Sequence, residues 1–404
     1  MMTVAQTQLS FKESAQTTRP EIELLLCCAR TQIDPMTVEC IKLLVQQDID
    51  WTYLIQTSAR HGVMPLLYRS LNATCPELVP KPILSQLRNF FHTNAQHNLL
   101  LTQELLRLLN LFQEHEIPAI PFKGPVLAAS VYGNLALRQF GDLDILVHER
   151  DYPKAKELLL NQGHLMIHDS EHEANCLQAQ LWHTEQQLSV DLHYGIPPKE
   201  LQLVQEALWE CLASLSLAGT TIQVFSPEAH LLVLCVDGYK ERWHKLSRIC
   251  DLAAMIGNQE LDWERLRELA RKLKLERILS LGLLLTSELL EAPLPEKIWS
   301  RVEANSAIRG LAARLQKDLF SEENPQSHPF SLWTIALYHL YLSECQPDRL
   351  RYWLTPNTSD RAFLSLPASL SFFYYLLRPI RVIGKYGLSP FQGLFKQLRL
   401  EVSE

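Results

Sequence analysis

No Cys-x-x-Cys pair occurs among the nine cysteines, at 27, 28, 40, 75, 176, 211, 235, 250 and 345. Their number is odd, and most sit inside apolar, helix-like runs. A zinc ribbon and a disulfide framework are disfavoured, and reduced, buried thiols in a reducing compartment are expected. The first residues (Met-Met-Thr-Val-Ala-Gln-Thr-Gln) hold no basic segment followed by an apolar core, so no secretory leader is expected. The longest apolar stretch, 278–290, is broken by Ser280, Thr286, Ser287 and Glu288 and is too short and too polar to span a bilayer. These absences predict a cytoplasmic protein with no membrane partner. Positive charge is also in short supply: 38 Lys and Arg face 45 Asp and Glu, for a net charge of -7. That disfavours nucleic acid as a partner, because such a surface is more often basic; tRNA is not excluded. The chain has no internal repeat and no low-complexity tract.

What is present is ordinary soluble composition, 47% hydrophobic and 21% charged over 404 residues, enough for two or three domains. Residues 1–20 are polar and read as a loosely held tail. From 21 to 112 apolar residues recur at spacings of three and four, the mark of amphipathic helices. Asp50-Trp51 opens one of these helices and His61-Gly62-Val63 follows it. A long helix is predicted over 83–114, with Leu87, Phe90, Leu99, Leu101, Leu105, Leu108, Leu109 and Phe112 on its apolar side. Nothing in this block suggests chemistry, and its histidines read as surface or packed residues. Residues 113–225 alternate short strand-like and helical segments. Predicted strands are 117–122 (irregular or at an edge, because of two prolines), 142–147, 165–167, 187–193 and 219–225. A short helix through Tyr132 and a second over 152–162, with Asp151 as N-cap, lie between them. Ser226-Pro227-Glu228 starts a helix with a capping serine, a proline in the first turn and a carboxylate at the positive end. Helices are then predicted over 229–239, 246–256, 262–273 and 278–289. Residues 226–325 form a C-terminal helical domain, and 326–404 a helical extension that ends in Arg378-Pro-Ile-Arg381 and Lys385.

The informative stretch is 117–147. Asp142 and Asp144 open a strand, and residues i and i+2 of a strand share a face. Leu143, Ile145 and Val147 then point into a core. Two carboxylates in apolar surroundings are costly unless cations neutralise them. Asp191, on a later strand of the same sheet, completes a three-carboxylate cluster fit to hold one or two Mg²⁺ ions through hard oxygen ligands. Lys123-Gly124 at a strand-to-helix turn offers a close backbone approach, N–H groups and charge to a phosphate.

Each of these has a plainer alternative. The acidic pair can be a solvated strand edge, and Asp191 can pair with Arg138. Lys123 is either a phosphate ligand or a structural lysine lying over the sheet. Arg138 either orients the carboxylates or contacts phosphate. His193 shares a face with Asp191, and His164, His168 and His172 stand four apart; packed roles are expected for both sets. Lys240, Arg242, Lys245 and Arg248 form a basic helical face that is either solvated or, for Lys245 and Arg248, closes over a nucleotide.

At these residues the chain resembles the polymerase-β-type nucleotidyltransferase superfamily, which has a glycine turn, a helix and then Asp-x-Asp at the head of a strand. More narrowly, Phe-Lys-Gly, Val-Tyr-Gly, Arg138 and Gly-Asp-Leu-Asp-Ile-Leu-Val resemble an uncharacterised bacterial nucleotidyltransferase family. So do Asp50-Trp51, Val190-Asp191-Leu192-His193, Asp251-Leu252 and Asp262-Trp263, for a likeness over roughly residues 21–390. The resemblance implies an α+β fold, a small mixed-sheet nucleotidyltransferase core flanked by N- and C-terminal helical regions. It implies transfer of a nucleotide from an NTP to a hydroxyl acceptor, a small molecule or a protein, with pyrophosphate released. Asp142, Asp144 and Asp191 would be metal ligands, with Asp191 also the base. Lys123, Gly124, Arg138, Lys245 and Arg248 would hold the nucleotide. Two features depart from the pattern: Gly124-Pro125 replaces the superfamily's Gly-Ser or Gly-Gly, and no histidine stands near Asp237-Gly238, where relatives often have one. The alternatives are a non-catalytic nucleotide-binding module on the same fold, or modification of a protein or tRNA in a toxin–antitoxin setting.

Overall fold

The structure, a computed structural model, describes residues 19–169, 177–185, 187–196, 204–321, 342 and 373–374. Expectations for the first 18 residues, for His172 and for the basic residues beyond 374 lie outside these. The chain divides into two compact units, 1–269 with 279–320 and 270–278 with 321–404. Everything that positions the site belongs to the first. Of the second, the described residues are chiefly 270–278.

The N-terminal region holds α1 (Pro20–Cys28), α2 (Pro35–Val45), α3 (Trp51–Arg60), α4 (Met64–Thr74) and α5 (Lys81–Glu114). Asp34 and Asp50 cap α2 and α3, accepting from the backbone N–H groups of Thr37 at 2.7 Å and Tyr53 at 3.0 Å. The inner face of α5 differs from the pattern expected of it. Leu87, Leu101, Leu105, Leu108 and Phe112 are buried, but Leu99 is 50% exposed. Its place is taken by Asn94 and Asn98, which are buried because their amides donate to the carbonyls of Ala136 (3.0 Å) and Arg138 (2.8 Å). A buried amide with a partner costs little, so polarity alone did not decide the face.

The core sheet has five strands: β1 (Ala119–Pro121), β2 (Asp142–Val147), β3 (His164–Asp169), β4 (Gln178–His183) and β5 (Leu188–His193), in the order β1-β2-β5-β4-β3. The pair β2/β5 is parallel and the rest antiparallel, so the sheet is mixed. The two prolines do leave β1 at an edge. Strand β4, Gln-Ala-Gln-Leu-Trp-His, is not among the sequence expectations, although its burial alternates. Leu143, Ile145, Val147, Val190 and Leu192 join Leu105, Leu108 and Phe112 of α5 in one hydrophobic core. Helix α6 (Pro125–Ser130) stops before Tyr132, and α7 (Tyr152–Asn161) starts without a side-chain cap from Asp151. After α8 (Val204–Trp209), β6 (Leu212–Leu217) and β7 (Thr220–Phe225) form a separate hairpin. Ala218 and Gly219, both at positive φ, supply the turn whose twist suits a two-residue hairpin loop.

Helices α9 (Pro227–Lys240), α10 (Leu246–Asn258), α11 (Trp263–Lys272), α12 (Glu276–Leu290), α13 (Glu296–Ala304) and α14 (Ser306–Leu319) follow. The Ser226 hydroxyl caps α9, accepting from the Ala229 N–H at 3.4 Å. Among the described residues no helix is long and apolar enough to cross a membrane, and all seven described cysteines are free thiols.

Candidate active site

Parallel pairing of β2 with β5 sets Asp144 opposite Asp191 and Leu143 opposite Val190. Because side chains alternate, the apolar partners face the core and the carboxylates face the other way. Asp142 shares that outer face, two residues before Asp144. The three carboxylates lie in a cleft of about 370 Å³ that is also lined by Lys123, Arg138, Lys240, Lys245 and Arg248.

Asp144 is 6% exposed and heavily partnered: Oδ1 lies 3.1 Å from His193 Nε2 and 3.4 Å from Lys123 Nζ. The carboxylate accepts, so Nε2 of His193 carries the proton. Burial works against the Asp144 charge, but the Lys123 ammonium, the His193 hydrogen bond and Arg248 outweigh it and hold the carboxyl well below the usual carboxylate range. Asp142 is pushed the other way, raised by the Asp144 charge and by burial. Asp191 is raised to about 7, first by burial and then by Asp144 and Asp142. Gln178 of β4 donates to Asp191 Oδ2 at 3.2 Å, while Oδ1 of Asp191 is buried without a hydrogen-bond partner.

An unpartnered carboxylate oxygen beside two more carboxylates fits a hard cation. Ligand atoms of Asp144, Asp191 and His193 lie within 4.8 Å of one another, and the His193 N–H orients the Asp144 carboxylate within that group.

Lys123 reaches from the end of β1 between two acids, 3.4 Å from Asp144 and 2.6 Å from Asp237 Oδ1. Burial disfavours its charge, but Asp144 and Asp237 more than restore it and lift the ammonium above its usual range. Asp237 is a site residue that the sequence reading passed over. The available signal was a single carboxylate in the otherwise apolar run of α9. Arg248 clamps the same acid, 3.3 Å from Asp237 and 2.8 Å from Glu241. Arg138 does not pair with Asp191. It forms a two-pronged ion pair with Asp251 of α10 (2.8 and 2.9 Å), and the Tyr132 hydroxyl donates to the same carboxylate at 2.7 Å. Asp251 is fully buried, so this knot holds the loop before β2 against α10.

Gly124 has φ +48, a backbone that side chains rarely adopt, and a Cβ there would meet the Asp142 carbonyl at 3.3 Å. The turn and the head of β2 are thus in close contact. The corner between α9 and α10 is also unusual, since Arg242 and Trp243 both have φ +54. Two such residues cost on the order of 1 kcal/mol each. Trp243, 1% exposed, pins the corner by lying on Gly238, where a Cβ would stand 2.5 Å from its ring. His61 ties α3 to the start of α10: its Nδ1 and carbonyl accept from the N–H groups of Leu246 (3.2 Å) and Ser247 (3.1 Å). Burial lowers His61 to about 4, as an accepting, neutral imidazole requires. His164 is packed too, its Nδ1 3.0 Å from the Leu159 carbonyl; it and His168 sit on a strand.

A mixed sheet whose acidic β2 head lies beside a glycine turn and pairs in parallel with a third carboxylate defines a nucleotidyltransferase-type core. The chain matches the family described as "uncharacterised nucleotidyltransferase" over residues 47–291, more than half its length, and belongs to that family. No curated protein matches it. A crystal structure of an antigenic nucleotidyltransferase-like protein from Paracoccidioides brasiliensis aligns at 17% identity over 48% of this chain and 93% of that one, with a TM-score of 0.30.

Proposed function

We propose that this protein is a Mg²⁺-dependent nucleotidyltransferase that moves a nucleoside monophosphate from an NTP to a hydroxyl acceptor, a small molecule or a protein, and releases pyrophosphate. The observation that carries the reading is the pairing of Asp144 with Asp191 across β2/β5, with Asp142 on the same face of a cleft lined by both acidic and basic side chains. Asp142 and Asp144 would hold two Mg²⁺ ions and Asp191 one of them. When bound, the ions supply charge neutralisation at the phosphate.

The chain's own residues do the rest. Asp191, set opposite Asp144 in the parallel pair, is placed to take the acceptor's hydroxyl proton. The acceptor oxygen bonds to the α-phosphorus, the bond from that phosphorus to the bridging oxygen breaks, and its electron pair leaves on pyrophosphate. Lys123 keeps Asp144 ionised as the counter-ion it shares with Asp237. Gly124 lets the backbone approach them, and Arg138 fixes the loop that carries β2. Lys245 faces the phosphates from the helical side, and Arg248 holds Asp237 and Glu241 beside it. Free thiols in the described residues fit a cytoplasmic location.

The test is NTP turnover with candidate acceptors, using ATP, GTP, CTP and UTP, followed by pyrophosphate release. Asp142→Asn with Asp144→Asn abolishes metal-dependent release, as does Asp191→Asn alone, with circular dichroism verifying the fold. Unchanged release in the double variant would sink the site. Calorimetric NTP binding without release by the wild type would instead favour a non-catalytic nucleotide-binding module.

A further inference from the structure

Six cations line the cleft: Arg60, Lys123, Arg138, Lys240, Lys245 and Arg248. Lys123, Arg138 and Arg248 are clamped by carboxylates: Lys123 by Asp144 and Asp237, Arg138 by Asp251, Arg248 by Asp237 and Glu241. Asp237 and Asp251 are 6% and 0% exposed. A phosphate that drew their partners away would leave a buried carboxylate uncompensated, an unfavourable exchange. Lys240 and Lys245 line the same cleft, and among the described residues neither forms an ion pair.

Their placement is built in. Lys240 is the last residue of α9 and Lys245 is the N-cap of α10. The corner between them runs through two consecutive residues at positive φ, Arg242 and Trp243. The Trp243 ring, seated on Gly238, prevents relaxation. Strain held in place by packing is a mark of positions kept for a ligand. Both lysines line the cleft together with Asp142, Asp144 and Asp191.

We propose that Lys240 and Lys245 form the subsite for the leaving diphosphate, binding the β- and γ-phosphates of the NTP, while Lys123 stays an internal counter-ion of Asp144 and Asp237. The inference rests on the nucleotidyl-transfer reading and assigns one part of it. As the bond to the α-phosphorus breaks, negative charge builds on the bridging oxygen of the departing diphosphate. Two uncompensated ammonium groups neutralise it without disturbing a buried pair.

The experiment is calorimetric titration of the full chain with inorganic pyrophosphate in Mg²⁺, and in parallel with a nucleoside monophosphate. Lys240→Ala and Lys245→Ala each weaken pyrophosphate binding roughly tenfold, and the double variant about a hundredfold. Monophosphate binding and the melting temperature stay unchanged, and Lys→Arg at either position retains affinity. Pyrophosphate affinity within twofold of wild type in the double variant overturns the subsite. So does loss of pyrophosphate affinity in Lys123→Met with the melt intact while the double variant keeps it. A wild type that binds neither pyrophosphate nor any NTP overturns the nucleotidyl reading itself. Normal pyrophosphate loss in the variants of a wild type that releases none supports the subsite and removes only the catalysis.

Discussion

Asp191 is acidic by type but not by behaviour, because burial and two neighbouring charges raise it to about 7. Through Asp191 the folded state binds more protons than the unfolded chain between the usual 3.8 and about 7, and this contribution to stability falls as pH rises across that window. At about 1.4 kcal/mol per unit, the effect amounts to roughly 2–4 kcal/mol. Urea unfolding in a chelator, measured from pH 4 to 8, tests it. Relative to wild type, Asp191→Asn gains stability over that range, and the two converge towards pH 4. Parallel curves would show that Asp191 ionises normally. Asp144 has the opposite sign: its contribution is present above the unfolded value and is lost only as pH falls far into the acid range. At this scale the sequence was legible for chemistry and not for partners. Asp142, Asp144 and Asp191 could be singled out by residue type and period. That Lys123 sits between Asp144 and Asp237, and that Arg138 belongs to Asp251, could not, because those contacts join residues 21 to 114 positions apart and depend on how α9 and α10 meet the sheet.

Elements were read best where the signal is local. The helix start at Asp50-Trp51, the cap at Ser226, the β2 strand and the prolines that put β1 at an edge all follow from side chains acting within a few residues. Strands β4 and β6 were missed because each needs its neighbour to close its hydrogen bonds, and half-polar sequences such as Gln-Ala-Gln-Leu-Trp-His become strands only when β5 lies alongside. The α9–α10 corner is the element most exposed to test. Gly238→Ala places a methyl 2.5 Å from the Trp243 ring, so the corner must shift. The variant is expected to lose about 1–3 kcal/mol in urea unfolding and to red-shift its tryptophan emission. An unchanged midpoint and spectrum would show that the corner is not held by this contact.

A cation site at these carboxylates would be a property of the whole folded chain, because Asp142 and Asp144 meet Asp191 only when β2 and β5 pair. Millimolar Mg²⁺ or Mn²⁺ at pH 8 raises the melting temperature of the wild type by several degrees, as a ligand of the native state must. Asp142→Asn with Asp191→Asn abolishes that rise. An equal rise in the double variant would place the ion elsewhere. The sequence by itself determined the acidic face, since strand period, glycine turn and carboxylate spacing are carried by neighbouring residues, and its resemblance to the nucleotidyltransferases implied the α+β class. Tertiary structure alone decided which charges meet. The parallel register fixes Asp144 against Asp191, the knot at Asp251 withdraws Arg138, and Asp237 takes up Lys123. The physical reason is that a buried charge is governed by whatever lies within a few ångströms of it, and chain position does not record that.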